Sequence, residues 1–168
     1  MKTAFRLVMA GLMLISSGCA FNTSTLHLDY KAPVYAEKVT FEKSIDVQPL
    51  NDIRGGDPFP ISYKGVEFKT TGTYLADEKI ADIITDDIKT NLTNLNYKIV
   101  ASQGDLILAG ELAKLDSTFI SGVLTADLNC TILISLKLTD AKTGHLVWSE
   151  MLTGFQKRSE ERRVGKEC

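Results

Sequence analysis

A chain of 168 residues, 44% hydrophobic and 24% charged, has the size and balance of one globular domain that buries a core without a disulfide framework. Its formal charge is −2, but setting aside the two basic residues of 1–18 and the four basic and three acidic ones of 158–168 leaves 13 basic and 18 acidic residues, a net −5. That balance argues against nucleic acid as a partner, which needs a basic footprint, and against electrostatic docking on anionic lipid.

Residues 1–18 read as a signal peptide. Lys2 and Arg6 form a short positive region, and Leu7 to Ile15 form an apolar run. Nine helical residues reach roughly 14 Å, about half of a bilayer core, which is too short for a transmembrane span. Ser16, Ser17, Gly18, Cys19 and Ala20 follow. This string resembles a lipobox, where signal peptidase II cuts between Gly18 and Cys19 and diacylglycerol is carried on the cysteine. The chemistry needs sulfur there, because the lipid is joined through a thioether. Ser16 departs from the pattern, which usually has Leu at that position. Two or more acyl chains hold firmly at about 0.8 kcal/mol per buried methylene, whereas one anchors only marginally. Ala20, in place of an Asp that retains lipoproteins at the inner membrane, points to the periplasmic face of the outer membrane. The inner membrane and the soluble periplasm are the alternatives.

Residues 19–43 are expected to be the lipidated cysteine and a tether, with a short strand where Leu26, Leu28 and Tyr30 alternate with His27 and Asp29. The domain proper is expected over 44–157. Ile45 and Val47 start a strand that ends at the cluster Asn51 to Pro58. Residues 54–73 read as loop, with one short strand around Val66 to Lys69. The clearest helix is 75–96, where Ile80, Ile83, Ile84, Ile88, Leu92 and Leu95 make one apolar stripe. Asp77 and Glu78 suit its first turn, and Asn94 and Asn96 suit its exit. Tyr97 to Val100 and Asp105 to Leu115 are further strands. From Ala126 to Leu138 every second residue is apolar, the mark of a long half-buried strand. Asp140 to Gly144 is a hairpin loop, and 146–153 is the returning strand, whose inward face the alternation leaves open. These elements predict an α+β domain. It would have an antiparallel or mixed four-stranded sheet and one amphipathic helix on one face, with a second C-terminal helix expected beyond residue 157.

The last stretch, Arg158 to Cys168, resembles the translation of a sequencing-adapter oligonucleotide, so residues 158–168 are expected to be a non-native tail.

No residues assemble into a catalytic or metal-binding pattern. His27 and His145 have no Cys or His at ligand spacing and read as surface residues, so no metal and no cofactor are expected. Cys130 lies on the apolar phase of its strand and reads as a small buried hydrophobe without a disulfide partner. Asp86 and Asp87 are adjacent on a helix and do not face each other. Trp148 reads as a core or sheet-face residue. The best local candidate for a binding loop is Asp52, Arg54 and Asp57 around Gly55 and Gly56; the alternative is turn chemistry with a surface ion pair.

Several segments carry a resemblance: Asp46 to Gly55, Leu75 to Ile84, Asn96 to Val100, Thr125 to Asn129, and Asp140 to Trp148, all behind the lipobox. Across residues 1–157 the chain resembles the YajG-like family of uncharacterised bacterial lipoproteins. More distantly it is similar to the α/β domains of the cell-wall-synthase activator LpoB and the curli secretion lipoprotein CsgG. The family has no agreed catalytic residues, so the resemblance transfers none. It implies a non-enzymatic, lipid-anchored protein-binding or assembly module of the cell envelope, with an unidentified envelope protein as partner. A self-oligomerising component of an envelope or secretion complex is the alternative, and a carboxylate enzyme using Asp52 and Asp57 the least favoured.

Overall fold

The computed structural model describes residues 23–29, 31–66, 69–121 and 125–161. Within them lie nine strands in a single mixed sheet and one helix. In chain order they are β1 (Ser24–Leu26), β2 (Ser44–Val47), β3 (Asn51–Asp52), β4 (Pro60–Val66), β5 (Lys69–Ala76), α1 (Ile80–Asn94), β6 (Lys98–Val100), β7 (Leu106–Ser121), β8 (Thr125–Asp140) and β9 (Leu146–Glu161).

β7 is the axis of the sheet. Its 16 residues extend about 53 Å. One edge pairs along its length with antiparallel β8, which pairs in turn with β9. The other edge is shared by β2, β3 and β4, each parallel to β7 and placed one after another along it. Asp46 pairs with Ile107, Asp52 with Leu112 and Tyr63 with Thr118. β6 extends the sheet beyond β2, and β5 and then β1 extend it beyond β4.

The expectation of a four-stranded sheet is therefore wrong. Residues 54–73, read as loop, contain β4 and much of β5, an irregular antiparallel hairpin with register shifts after Pro60 and Lys64. Pro, Gly and Thr blur its alternation, and half-exposed positions on both faces remove the apolar signal. β7 also runs on through Asp116, Ser117 and Thr118, where polar residues hide a continuing strand. The short strand expected from the Leu26–Tyr30 alternation lies earlier, at Ser24–Leu26, with 27–29 irregular and Tyr30 outside the described residues; β3 has two residues, too few to show a period.

α1 lies against one half of one face. Its side chains Ile80 and Ala81 join Ile45, Val47, Leu50, Leu106, Leu108, Leu112, Ile134 and Leu136 in one buried cluster, with Leu112 fully inaccessible. The helix is shorter than the predicted 75–96, because Leu75 and Ala76 complete β5. No side chain caps its start; the Ile80 N–H donates instead to the Pro58 carbonyl. At its end Asn96 adopts φ +75°, and the Asn96 and Tyr97 N–H groups donate to the Thr93 and Leu92 carbonyls, a left-handed exit that Asn tolerates. Thr85 is buried mid-helix, where its Oγ1 accepts from the Leu50 N–H at 3.0 Å and donates to the Ala81 carbonyl at 2.7 Å. The bond from Leu50 fixes the helix to the β2–β3 connection.

Candidate functional site

The Asp52–Asp57 loop is an excursion in the row of strands beside β7. From Asp52 to Tyr63 the chain advances eleven residues while β7 advances only six, from Leu112 to Thr118. The surplus is looped out opposite the bulge that β7 makes between Leu112 and Lys114. Gly55 and Gly56 both adopt positive φ, +79° and +78°, which makes the reversal accessible without Cβ strain.

Arg54 closes this loop from inside. Its Nε donates to Asp52 Oδ1 at 2.9 Å and its Nη2 to Asp52 Oδ2 at 2.6 Å, a two-point carboxylate pair. Nη2 also donates to the Pro58 carbonyl at 3.0 Å and Nη1 to the Pro60 carbonyl at 3.3 Å. Both side chains are mostly buried, at 11% and 19% exposure. The hydrogen bond from Arg54 holds the Asp52 carboxyl below its ordinary range. Asp57 does not join them: its Oδ1 accepts from the Phe59 N–H at 3.0 Å, closing a local turn. A shallow cavity of about 270 Å³ opens beside Arg54, Gly55, Gly56 and Asp57. A carboxylate pinned in its ionised form by two guanidinium bonds is poorly suited to exchange protons near neutrality. The triad named from sequence is thus an internal staple, Asp52 with Arg54, and a separate turn at Asp57.

The other named positions distribute as follows. Gly18 and Cys19 lie outside the described residues, as do 162–168. Residues 158–161 are the end of β9. Cys130 is a free, half-buried thiol. His145 is exposed beside the β8–β9 turn, where Asp140 Oδ1 accepts from the Lys142 and Thr143 N–H groups and Gly144 takes φ +69°. Among the described residues no three His, Cys, Asp or Glu side chains are grouped to hold a metal ion, and no helix is long and apolar enough to cross a membrane.

Two features were not legible in the sequence. The first is a pair of contacts that fixes β1. Lys64 Nζ donates to Ser24 Oγ at 2.8 Å and sits 4.1 Å from the centroid of the Tyr74 ring. At the other end His27 Nδ1 meets Asp77 Oδ2 at 2.6 Å, and the Asp77 N–H donates to the Leu26 carbonyl. The hydrogen bond raises the His27 pKa and lowers that of Asp77. These partners are 40 and 50 residues apart in the chain, and no local pattern links them.

The second is β9. It pairs with β8 along one edge, and no described strand pairs with the other. Trp148 and Leu152 oppose Leu138 and Ile134, so they extend the helix-bearing face; Met151 and Phe155 oppose Ser135 and Thr131 on the opposite face. Trp148, Met151 and Phe155 are 40%, 63% and 70% exposed. The available signal was that apolar residues occupy both phases of this strand, in Leu146, Val147 and Trp148 and again in Met151 and Leu152.

The architecture has a solved counterpart. Protein XCC0632 from Xanthomonas campestris, of family DUF330, is similar with a TM-score of 0.60 over 79% of this chain and 77% of its own, at 13% identity. At that identity the likeness is one of fold. The C-terminal domain of LpoB from Salmonella enterica is similar at TM-score 0.34 and 13% identity, over 70% of this chain and 86% of its own. Lipoprotein GNA1162 from Neisseria meningitidis is similar at TM-score 0.38 and 13% identity, over 74% and 88%. These two scores are too low to support an argument. No family model and no curated protein matches the chain.

Proposed function

We propose that this chain is an envelope lipoprotein, anchored by lipid on Cys19, whose sheet domain is a non-catalytic module that binds a partner protein through β9. The observation that carries the binding role is the open edge of β9, whose stretch from Leu146 to Phe155, ahead of the proposed tail, bears exposed large apolar side chains on both faces. An edge of unpaired main-chain donors and acceptors is a template for an added strand, and flanking apolar residues give such pairing its energy. Soluble domains seldom leave apolar surface of this kind without a partner. The lipobox around Cys19 supports the anchor, and Ala20 supports the outer membrane as destination. The quoted segments support kinship with YajG-like lipoproteins, and the wording of 158–168 supports a non-native tail.

A photo-crosslinking residue placed at Met151 or Phe155 in intact cells tests the reading, with Glu111 on the polar face of β7 as the control. Discrete adducts with a different protein from the two β9 positions, absent from Glu111, are expected. Ladders of self-adducts would replace the partner module with a self-assembling component. Indistinguishable patterns at all three positions contradict a role for this edge.

A further inference from the structure

We infer that the domain stands on the membrane with the β4–β5 and β7–β8 hairpin end of its sheet against the bilayer surface. The inference rests on the lipid anchor proposed at Cys19. Ser24 follows Cys19 by five positions, so no path between them exceeds roughly 18 Å. Ser24 is not free to move away from the sheet. It is paired with Tyr74 in the β1–β5 ladder, and its hydroxyl is held by Lys64. The bilayer surface therefore lies within that distance of one fixed point on the fold.

The registers locate that point along the long axis. Ser24 is level with Tyr74, Tyr74 with Ser62, and Tyr63 with Thr118, so Ser24 stands at the level of Ser117 of β7, with β5 and β4 between them. Towards the hairpin end, β5 extends five residues from Tyr74 back to Lys69, about 17 Å, and β7 ends near the same level at Ser121. Towards the opposite end, β7 runs eleven residues from Ser117 back to Leu106, about 36 Å, to the level of the β8–β9 turn. A tether of roughly 18 Å spans the first distance and not the second. An upright domain with its β8–β9 turn on the membrane is excluded. The direction of entry agrees, because β1 runs parallel to β5 and the chain arrives at Ser24 from the hairpin side.

The chemistry of this end fits a lipid surface. Phe119 and Ile120, half-buried on opposite faces, are the last described side chains of β7. Lys64, with its amine over Tyr74, stands beside them in the β4–β7 register, opposite Phe119. Aromatic and aliphatic groups with a cation close by suit the headgroup boundary. The β8–β9 turn at the far end carries Asp140, Lys142 and Thr143, polar groups without a large apolar side chain among them. In this orientation β9 stands along the membrane normal, with the open edge from Leu146 to Phe155 presented sideways.

The test uses the lipidated full-length protein in vesicles that contain a headgroup-labelled acceptor lipid. Donor dyes are placed by Thr70→Cys at the hairpin end or Lys142→Cys at the turn, in a Cys130→Ser, Cys168→Ser background. Energy transfer from position 70 is expected to exceed that from position 142 several-fold. A Lys64→Ala, His27→Ala variant, in which β1 is released and the tether lengthened, is expected to reduce that contrast. Equal transfer from the two sites, or more from 142, overturns the orientation. Flotation of the same samples separates the two ideas. Protein that floats but shows no contrast removes the orientation alone, whereas protein that does not float removes the anchor and the orientation with it.

Discussion

Strands β7 and β9 both lie in the same three-stranded ribbon with β8, yet they meet opposite surroundings. β7 has paired strands along both edges and α1 over Leu106, Leu108 and Leu112, which are almost completely buried. β9 has one neighbour, and its apolar side chains remain in contact with water. The contrast separates what holds this fold from what the fold presents. Alternation and apolar content make a strand, but neighbours on both edges and a helix above make it core. β9 is built from core-type residues without the cover that would make them core.

That contrast can be broken most strongly from the β7 side. Leu112→Ala removes a side chain with no exposure, and is expected to cost about 3 kcal/mol in urea unfolding. A loss below about 1 kcal/mol would mean that the β7–α1 contact is not the stabilising centre. Gly110→Ala belongs with it. A Cβ there would overlap the Ser135 carbonyl oxygen and stand 2.7 Å from Leu136 Cδ2, so β7 and β8 must shift to accept it. Thermal unfolding should show a clear fall in midpoint.

Arg54→Ala leaves Asp52 mostly buried with its partner gone, at an expected cost of about 2 kcal/mol, discounted for the solvent that still reaches the pair. The pH dependence has a definite sign. Because Arg54 depresses the Asp52 pKa, the pair's contribution is present above the ordinary value of 3.8 and is lost as pH falls through the lower folded value. Wild type should therefore lose stability in that acid range, and Arg54→Ala should lack this part of the loss. Parallel acid curves would show that the pair contributes nothing to folding.

On β9 the same kind of truncation should do little. Met151→Ser and Phe155→Ser are expected to change stability by less than about 0.5 kcal/mol while lowering partner crosslinking. If either cost as much as Leu112→Ala, β9 would have to be counted with the core. The smallest effect concerns β1. His27 is raised above 6.5 by its bond to Asp77, so its contribution is complete below 6.5 and lost as pH rises through the raised value. Titration by NMR should place the His27 midpoint above that of an Asp77→Asn variant, and coincident midpoints would remove the contact in solution.

The parts of this fold that were legible in the sequence are those with a long, one-sided period. The Ile80–Leu92 stripe located α1, and the Ala126–Leu138 alternation located β8 with its turn at Asp140. The parts that were not legible depend on partners far away in the chain. β4 and β5 are strands because β7 and each other supply their hydrogen bonds, and their Thr, Gly and Pro residues give no apolar period to read. β1 exists through Tyr74, Lys64 and Asp77. At the loop, the residue types were found but not their use: Asp52 and Arg54 face each other, and four of the five guanidinium N–H groups are spent on Asp52 and the two proline carbonyls.

The membrane orientation rests on Cys19 directly, and the setting in which β9 meets its partner depends on the same anchor. Metabolic labelling with radiolabelled palmitate, followed by capture of the protein, tests that residue without reference to any partner. Label is expected in the wild-type chain and none in Cys19→Ser. Equal labelling of the two, or a wild-type chain that takes up none, would contradict the anchor.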